Sequence, residues 1–91
     1  LEFESTDFVA QTSQALLNVK AILKEAGAGP EHMVRMTWYI TDRSAYLENQ
    51  AEIGKVYREI MGKNYPTMSV LEVVALVEEQ ARVEIEVTAA I

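Results

Sequence analysis

The chain has 91 residues, enough for one domain over 1–91 and not for two. Eight Lys and Arg against fourteen Asp and Glu leave a net charge of −6, and the basic residues are scattered, so no basic stripe exists to neutralise nucleic-acid phosphates. There is no cysteine, which removes disulfides, thiolate catalysis and cysteine-based zinc sites, and no apolar run reaches the roughly 18 residues of a membrane span.

No charged-then-apolar signal segment opens the chain, so a cytoplasmic location is expected. The first element is a helix in "TDFVAQTSQALLNVKAILKEAGAG". Phe8, Thr12, Ala15, Leu16, Val19, Ile22, Leu23 and Ala26 form one stripe at three-to-four spacing. Ser5 or Thr6 can cap its start, and Asp7 suits the positive end of the helix dipole. Gly27 supplies a left-handed stop, and Pro30 blocks continuation. "MVRMTWYIT" then alternates as a strand. Val34, Met36, Trp38 and Ile40 share an apolar face, and Arg35, Thr37, Tyr39 and Thr41 share the other. A second helix is predicted over roughly 44–61, its stripe made by Tyr46, Leu47, Gln50, Ile53, Gly54, Tyr57, Ile60 and Met61. "GKNYP" ends it.

"YPTMSVLEVVAL", residues 65–76, reads as a strand that is apolar on both faces. Thr67, Ser69, Leu71, Val73 and Ala75 point one way; Met68, Val70, Glu72, Val74 and Leu76 point the other. A polar connection, "VEEQA", is compatible with a hairpin into the last strand, "RVEIEVTAAI". There Val83, Ile85, Val87 and Ala89 oppose Arg82, Glu84, Glu86 and Thr88. The order helix, strand, helix, strand, strand gives an α+β, two-layer α/β sandwich with two helices on one face of a mixed sheet. The other face stays bare. A bare, partly apolar sheet face is an association surface, and copies of the same chain are its commonest cover.

Four stretches, "QTSQALLNVKAILKEAGAG", "VRMTWYITD", "YPTMSVLEVVAL" and "ARVEIEVTAAI", together resemble the RidA/YjgF family, also called endoribonuclease L-PSP or translation-inhibitor-like. They span nearly the whole chain. The resemblance implies a chorismate-mutase-like fold and a homotrimer with inward-facing sheets. It also implies a small-molecule cleft at each subunit interface, and hydrolysis of enamines and imines to keto compounds and ammonia. It calls for no metal and no organic cofactor. Members begin with an extra β-hairpin and strand; with the sequence opening at "LEFES", that part is expected to be absent or to lie outside these residues.

In deaminating members a P-x-R-S motif places an Arg against the substrate carboxylate; a guanidinium fork suits two carboxylate oxygens. Here the motif reads Pro66-Thr67-Met68-Ser69. Met68 stands in the Arg position, and a thioether cannot donate to a carboxylate. It can pack at a subunit contact, or line a pocket for a less anionic or more apolar ligand. Its neighbours Tyr65 and Ser69 are expected in the same cleft. Glu84 matches the family glutamate that handles water, and a carboxylate in a cleft can serve as acid or base. Its plain reading is a solvated or paired strand carboxylate. A family asparagine falls on Gly54, which otherwise reads as close helix-to-sheet approach. Arg35 or Arg82 could pair with Glu84 or Glu86 across strands, or replace the missing anion anchor. His32 sits in a turn with no expected carboxylate partner, and Trp38 is expected in the core. Three functions compete: an imine or enamine hydrolase, a non-catalytic ligand-binding or regulatory module, and an RNA-acting protein that the charge argues against.

Overall fold

The computed structural model describes residues 7–91. Helix α1 runs Phe8–Glu25, a 3-10 turn Pro30–His32 and strand β1 Met33–Ile40. They are followed by α2 Arg43–Glu48, α3 Gln50–Met61, β2 Thr67–Glu72 and β3 Val83–Ala89. Asp7 caps α1, its carboxylate accepting the Ala10 N–H at 2.9 Å; Ser5 and Thr6 lie outside the described residues. The helix ends in a Schellman motif. Gly27, at φ 76°, donates to the Lys24 carbonyl, and Ala28 donates to the Leu23 carbonyl. The buried stripe is Phe8, Gln11, Thr12, Leu16 and Leu23. Ile22 and Ala26, expected in it, are exposed; both fall at the last turn, where Ala26 is already the C-cap beyond the final helical residue.

The second helix is two helices. Asp42 caps α2 through the Ala45 N–H. The chain then breaks at Asn49, whose side-chain amide donates back to the Ala45 carbonyl at 2.7 Å. That bond satisfies a carbonyl at the end of α2. Leu47 consequently faces outward. Ile53, Tyr57 and Met61, at successive four-residue steps, bury one line of α3.

The sheet order is β2-β1-β3. β2 is parallel to β1, and β3 is antiparallel to it. The expected hairpin between the last two strands is therefore absent; β1 lies between them. Parallel neighbours need a crossover, and α2 and α3 supply it. The β2–β3 connection then passes the end of β1, held by the Val73 N–H on the Ile40 carbonyl and the Thr41 N–H on the Arg82 carbonyl. It replaces the second half of the strand predicted over 65–76. Val74 and Val77 on it are fully exposed.

Helix α1 packs on α3 and β3, and the core lies between the helices and one sheet face. Met36, Trp38, Ile40 and Val83 are buried in it, with Val70, Ile85 and Val87 packed against it. Val34 is not. The β1–β3 register shifts between Met33 and Arg35, so Met33 takes the buried place and Val34 turns out. Gln11 is a buried amide that ties two elements together. Its Nε2 donates to the Gln80 carbonyl at 2.9 Å, and its Oε1 accepts the Arg82 N–H at 2.7 Å.

The open sheet face carries Arg35, Thr37 and Tyr39, flanked by Thr67, Ser69 and Leu71 on one side and Thr88, Glu86 and Glu84 on the other. With β2 ending at Glu72, this face is more polar than expected. Arg82 pairs with Asp42 at 3.6 Å and lies over the Phe8 ring. Among the described residues no ion pair joins Arg35 to Glu84 or Glu86.

Candidate ligand pocket

A pocket of about 220 Å³ opens between the edge strand β2 and the α2–α3 pair. Its position follows from the crossover. The helices must climb away from β1 before the chain returns as β2, which leaves a gap along the β2 edge. Trp38 and Ile53 come from the core, Tyr46 and Gln50 flank the helix break, and Met68 and Tyr65 come from β2 and the turn before it. Tyr57, Gly54 and Arg58 complete the α3 side.

The walls are aromatic. Tyr57 stacks on Tyr65 with centroids 5.4 Å apart and planes at 17°, and Trp38 meets Tyr46 edge to face at 6.2 Å. The Tyr57 hydroxyl donates to the Asn64 carbonyl, and the Asn64 amide donates to the Met61 carbonyl. Burial, with Tyr65 adding to it, holds the Tyr57 phenol above the usual tyrosine range. The Trp38 indole N–H is buried without an acceptor.

Of the residues singled out in the sequence, Met68, Tyr65 and Gly54 meet in this pocket. Met68 stands beside Met36 on the helix side of the sheet. Ser69 and Glu84 do not join them. Ser69 alternates to the open face, and Glu84 lies exposed on that face, across from Tyr39 with β1 between it and β2. His32 has a turn role: its Nδ1 accepts the Gly29 N–H at 2.9 Å. Glu31, not foreseen as a neighbour, sits 3.5 Å from it. Among the described residues no group of three His, Cys, Asp or Glu comes together to hold a metal ion.

The profile of the family described as "Endoribonuclease L-PSP" matches residues 2–91. The chain belongs to the endoribonuclease L-PSP family, the RidA/YjgF family. A RutC family protein of Haemophilus influenzae is 36% identical over 77% of this chain and 54% of its own length. The chain thus spans about half of that relative. A protein of Escherichia coli named "Putative reactive intermediate deaminase TdcF" is 35% identical over 91% of this chain and 63% of itself. The crystal structure of TdcF with bound serine superposes with a TM-score of 0.78, at 34% identity, covering 97% of this chain and 67% of that one. Rv2704 of Mycobacterium tuberculosis, a YjgF/YER057c/UK114 family member, gives a TM-score of 0.80 at 35% identity, covering 97% and 71%. The fold is therefore the family's chorismate-mutase-like α+β sandwich.

Within this RidA/YjgF chain, sequence reasoning missed Arg58, Tyr46, Gln50, Ile53, Tyr57 and Trp38 as pocket residues. All but Arg58 and Trp38 were on the predicted helix stripe, because the pocket wall is a stretch of that stripe that the sheet does not cover. Arg58 carried no signal: helical periodicity puts it on the solvent side of Tyr57.

Proposed function

We propose that the chain is one RidA-like domain of a homotrimer and hydrolyses a small enamine or imine to a carbonyl compound and ammonia, in a cleft completed at subunit seams. The observation that carries this reading is the separation of the parts. The pocket and Glu84 lie on opposite faces of one sheet, so one protomer cannot bring them to the same substrate. A neighbour's open face at the β2 edge can. The name borne by TdcF supports the reaction class.

In the proposed reaction the enamine first tautomerises to the imine. A Glu84 carboxylate takes a proton from water as the water oxygen adds to the C=N carbon. The C=N electron pair moves to nitrogen, which takes the proton held by Glu84. The carboxylate then takes the carbinolamine hydroxyl proton and passes it to the same nitrogen; the oxygen lone pair forms the carbonyl as the C–N bond breaks and ammonia leaves. Water and imine balance the products with no oxidant or reductant. A cytoplasmic location belongs to the same reading; among the described residues no helix is long and apolar enough to cross a membrane.

Met68 and Gly54 favour a second reading, a ligand-binding or regulatory module without turnover. The first offers a thioether and the second no side chain where the family's pattern has polar anchors. The net charge of −6 weighs against RNA as the substrate. Ammonia release from freshly generated 2-aminoacrylate separates the two. The wild type should exceed solvent hydrolysis, and Glu84→Gln should lower the excess by about a hundredfold or more. No excess, with small-molecule binding retained, leaves the module.

A further inference from the structure

The pocket has one charged lining residue, and it comes from α3. Arg58 stands one helical turn after Gly54. A Cβ on residue 54 would sit 3.4 Å from Arg58 Nη1, tighter than most such contacts. The guanidinium therefore runs back along the helix, over the bare backbone of the glycine. That is the direction helix side chains take, toward the N-terminus. Gly54 makes the room that a larger side chain would fill. No carboxylate lines the pocket, and among the described residues no ion pair engages Arg58.

We propose that Arg58 is the anion anchor of this pocket, and that the pocket selects monocarboxylates carrying a planar apolar body. The inference rests on the reading of the pocket as a small-molecule site, though not on turnover. A guanidinium donates two parallel hydrogen bonds to a carboxylate, which a lysine cannot reproduce. The rest of the lining suits the other end of such a ligand. The stacked Tyr57 and Tyr65 rings offer an aromatic surface, and Ile53 and Met68 add apolar and polarisable contacts. The volume, about 220 Å³, lies below the roughly 300–1,000 Å³ of drug-sized sites, so the ligand has room for one ring and a short arm. The thioether at Met68 fits this arrangement: the cation stands on the helix, and the strand contributes contact without charge.

The test uses phenylacetate and its neutral isostere phenylacetamide. Trp38 is the chain's one tryptophan and lines the pocket, so its indole N–H resonance reports filling. Phenylacetate should bind the wild type and lose at least about tenfold in affinity in Arg58→Ala, with Arg58→Lys falling between. Phenylacetamide should bind both alike. Added salt should weaken phenylacetate and leave phenylacetamide unchanged, a check that needs no variant. Equal phenylacetate affinity in the wild type and Arg58→Ala, or no salt effect, overturns the proposal. If phenylacetamide binds and phenylacetate does not, this inference falls and the small-molecule pocket stands. If neither compound moves the indole signal, both fall together.

Discussion

The Tyr57 hydroxyl donates to the Asn64 carbonyl while its ring stacks on Tyr65, so one side chain serves both the pocket wall and the turn into β2. Its phenol is held above the ordinary range, first by burial and then by Tyr65. An acid whose folded-state pKa is raised stabilises the fold while protonated. That contribution is complete below the unfolded value, near about pH 10 for tyrosine, and is lost as pH rises through the folded value. The phenolate also has no proton to give the carbonyl. Tyr57→Phe should therefore cost about 1 kcal/mol at neutral pH, a typical single hydrogen bond. It should also flatten the alkaline side of the stability curve. Urea titrations of both proteins from pH 7 to 11 check this; parallel curves would refute it. At this scale the sequence was partly legible. Met68, Tyr65 and Gly54 could be placed because the resemblance to the family's P-x-R-S motif and to its asparagine position marked them. Arg58 could not, since its position depends on where a long side chain lies over a neighbour that lacks one.

Alternation and helical spacing located the first helix and the three strands and merged α2 and α3 into one helix, but did not give the elements' neighbours or ends. The stretch 65–76 reads as apolar on both faces because its second half is not strand at all; the chain leaves the sheet at Glu72 to cross the end of β1. Pairing order cannot be read from periodicity, since a parallel crossover and a hairpin present the same alternation. Likewise the bulge that exchanges Met33 for Val34 shifts the pattern by one residue without a glycine to mark it. Gln11 shows what fixes the observed order. It accepts from Arg82 and donates to Gln80, so α1 holds the crossing connection against the sheet end. Gln11→Ala leaves a carbonyl and an N–H without these partners in a part-buried place, at a cost of about 1–3 kcal/mol. The loss should be local as well as global. Hydrogen exchange at the Arg82 amide should rise more than exchange in the middle of β1, and uniform acceleration would count against the clamp.

Across the whole molecule the question is where the exposed apolar groups sit. Leu71 lies on the open face, and Val74 and Val77 follow it on the connection past the end of β1, both fully exposed. On the helix side Ile22 is also exposed, on α1. If the proposed trimer forms through the open face, the first group is buried by association and Ile22 is not. Removing a valine from water is worth on the order of 1.5–3 kcal/mol. A buried aspartate without a partner reverses that gain and adds a desolvation cost. Val74→Asp with Val77→Asp should therefore move the protein from trimer toward monomer in sedimentation at micromolar concentration. Ile22→Asp should leave the assembly unchanged. Separation of the subunits should also abolish ammonia release while phenylacetate still reaches the pocket of each protomer. The open face supplies Glu84, whereas the pocket walls belong to one chain. Loss of both functions together would place the pocket itself at the seam, and retention of both would remove the neighbour from the mechanism.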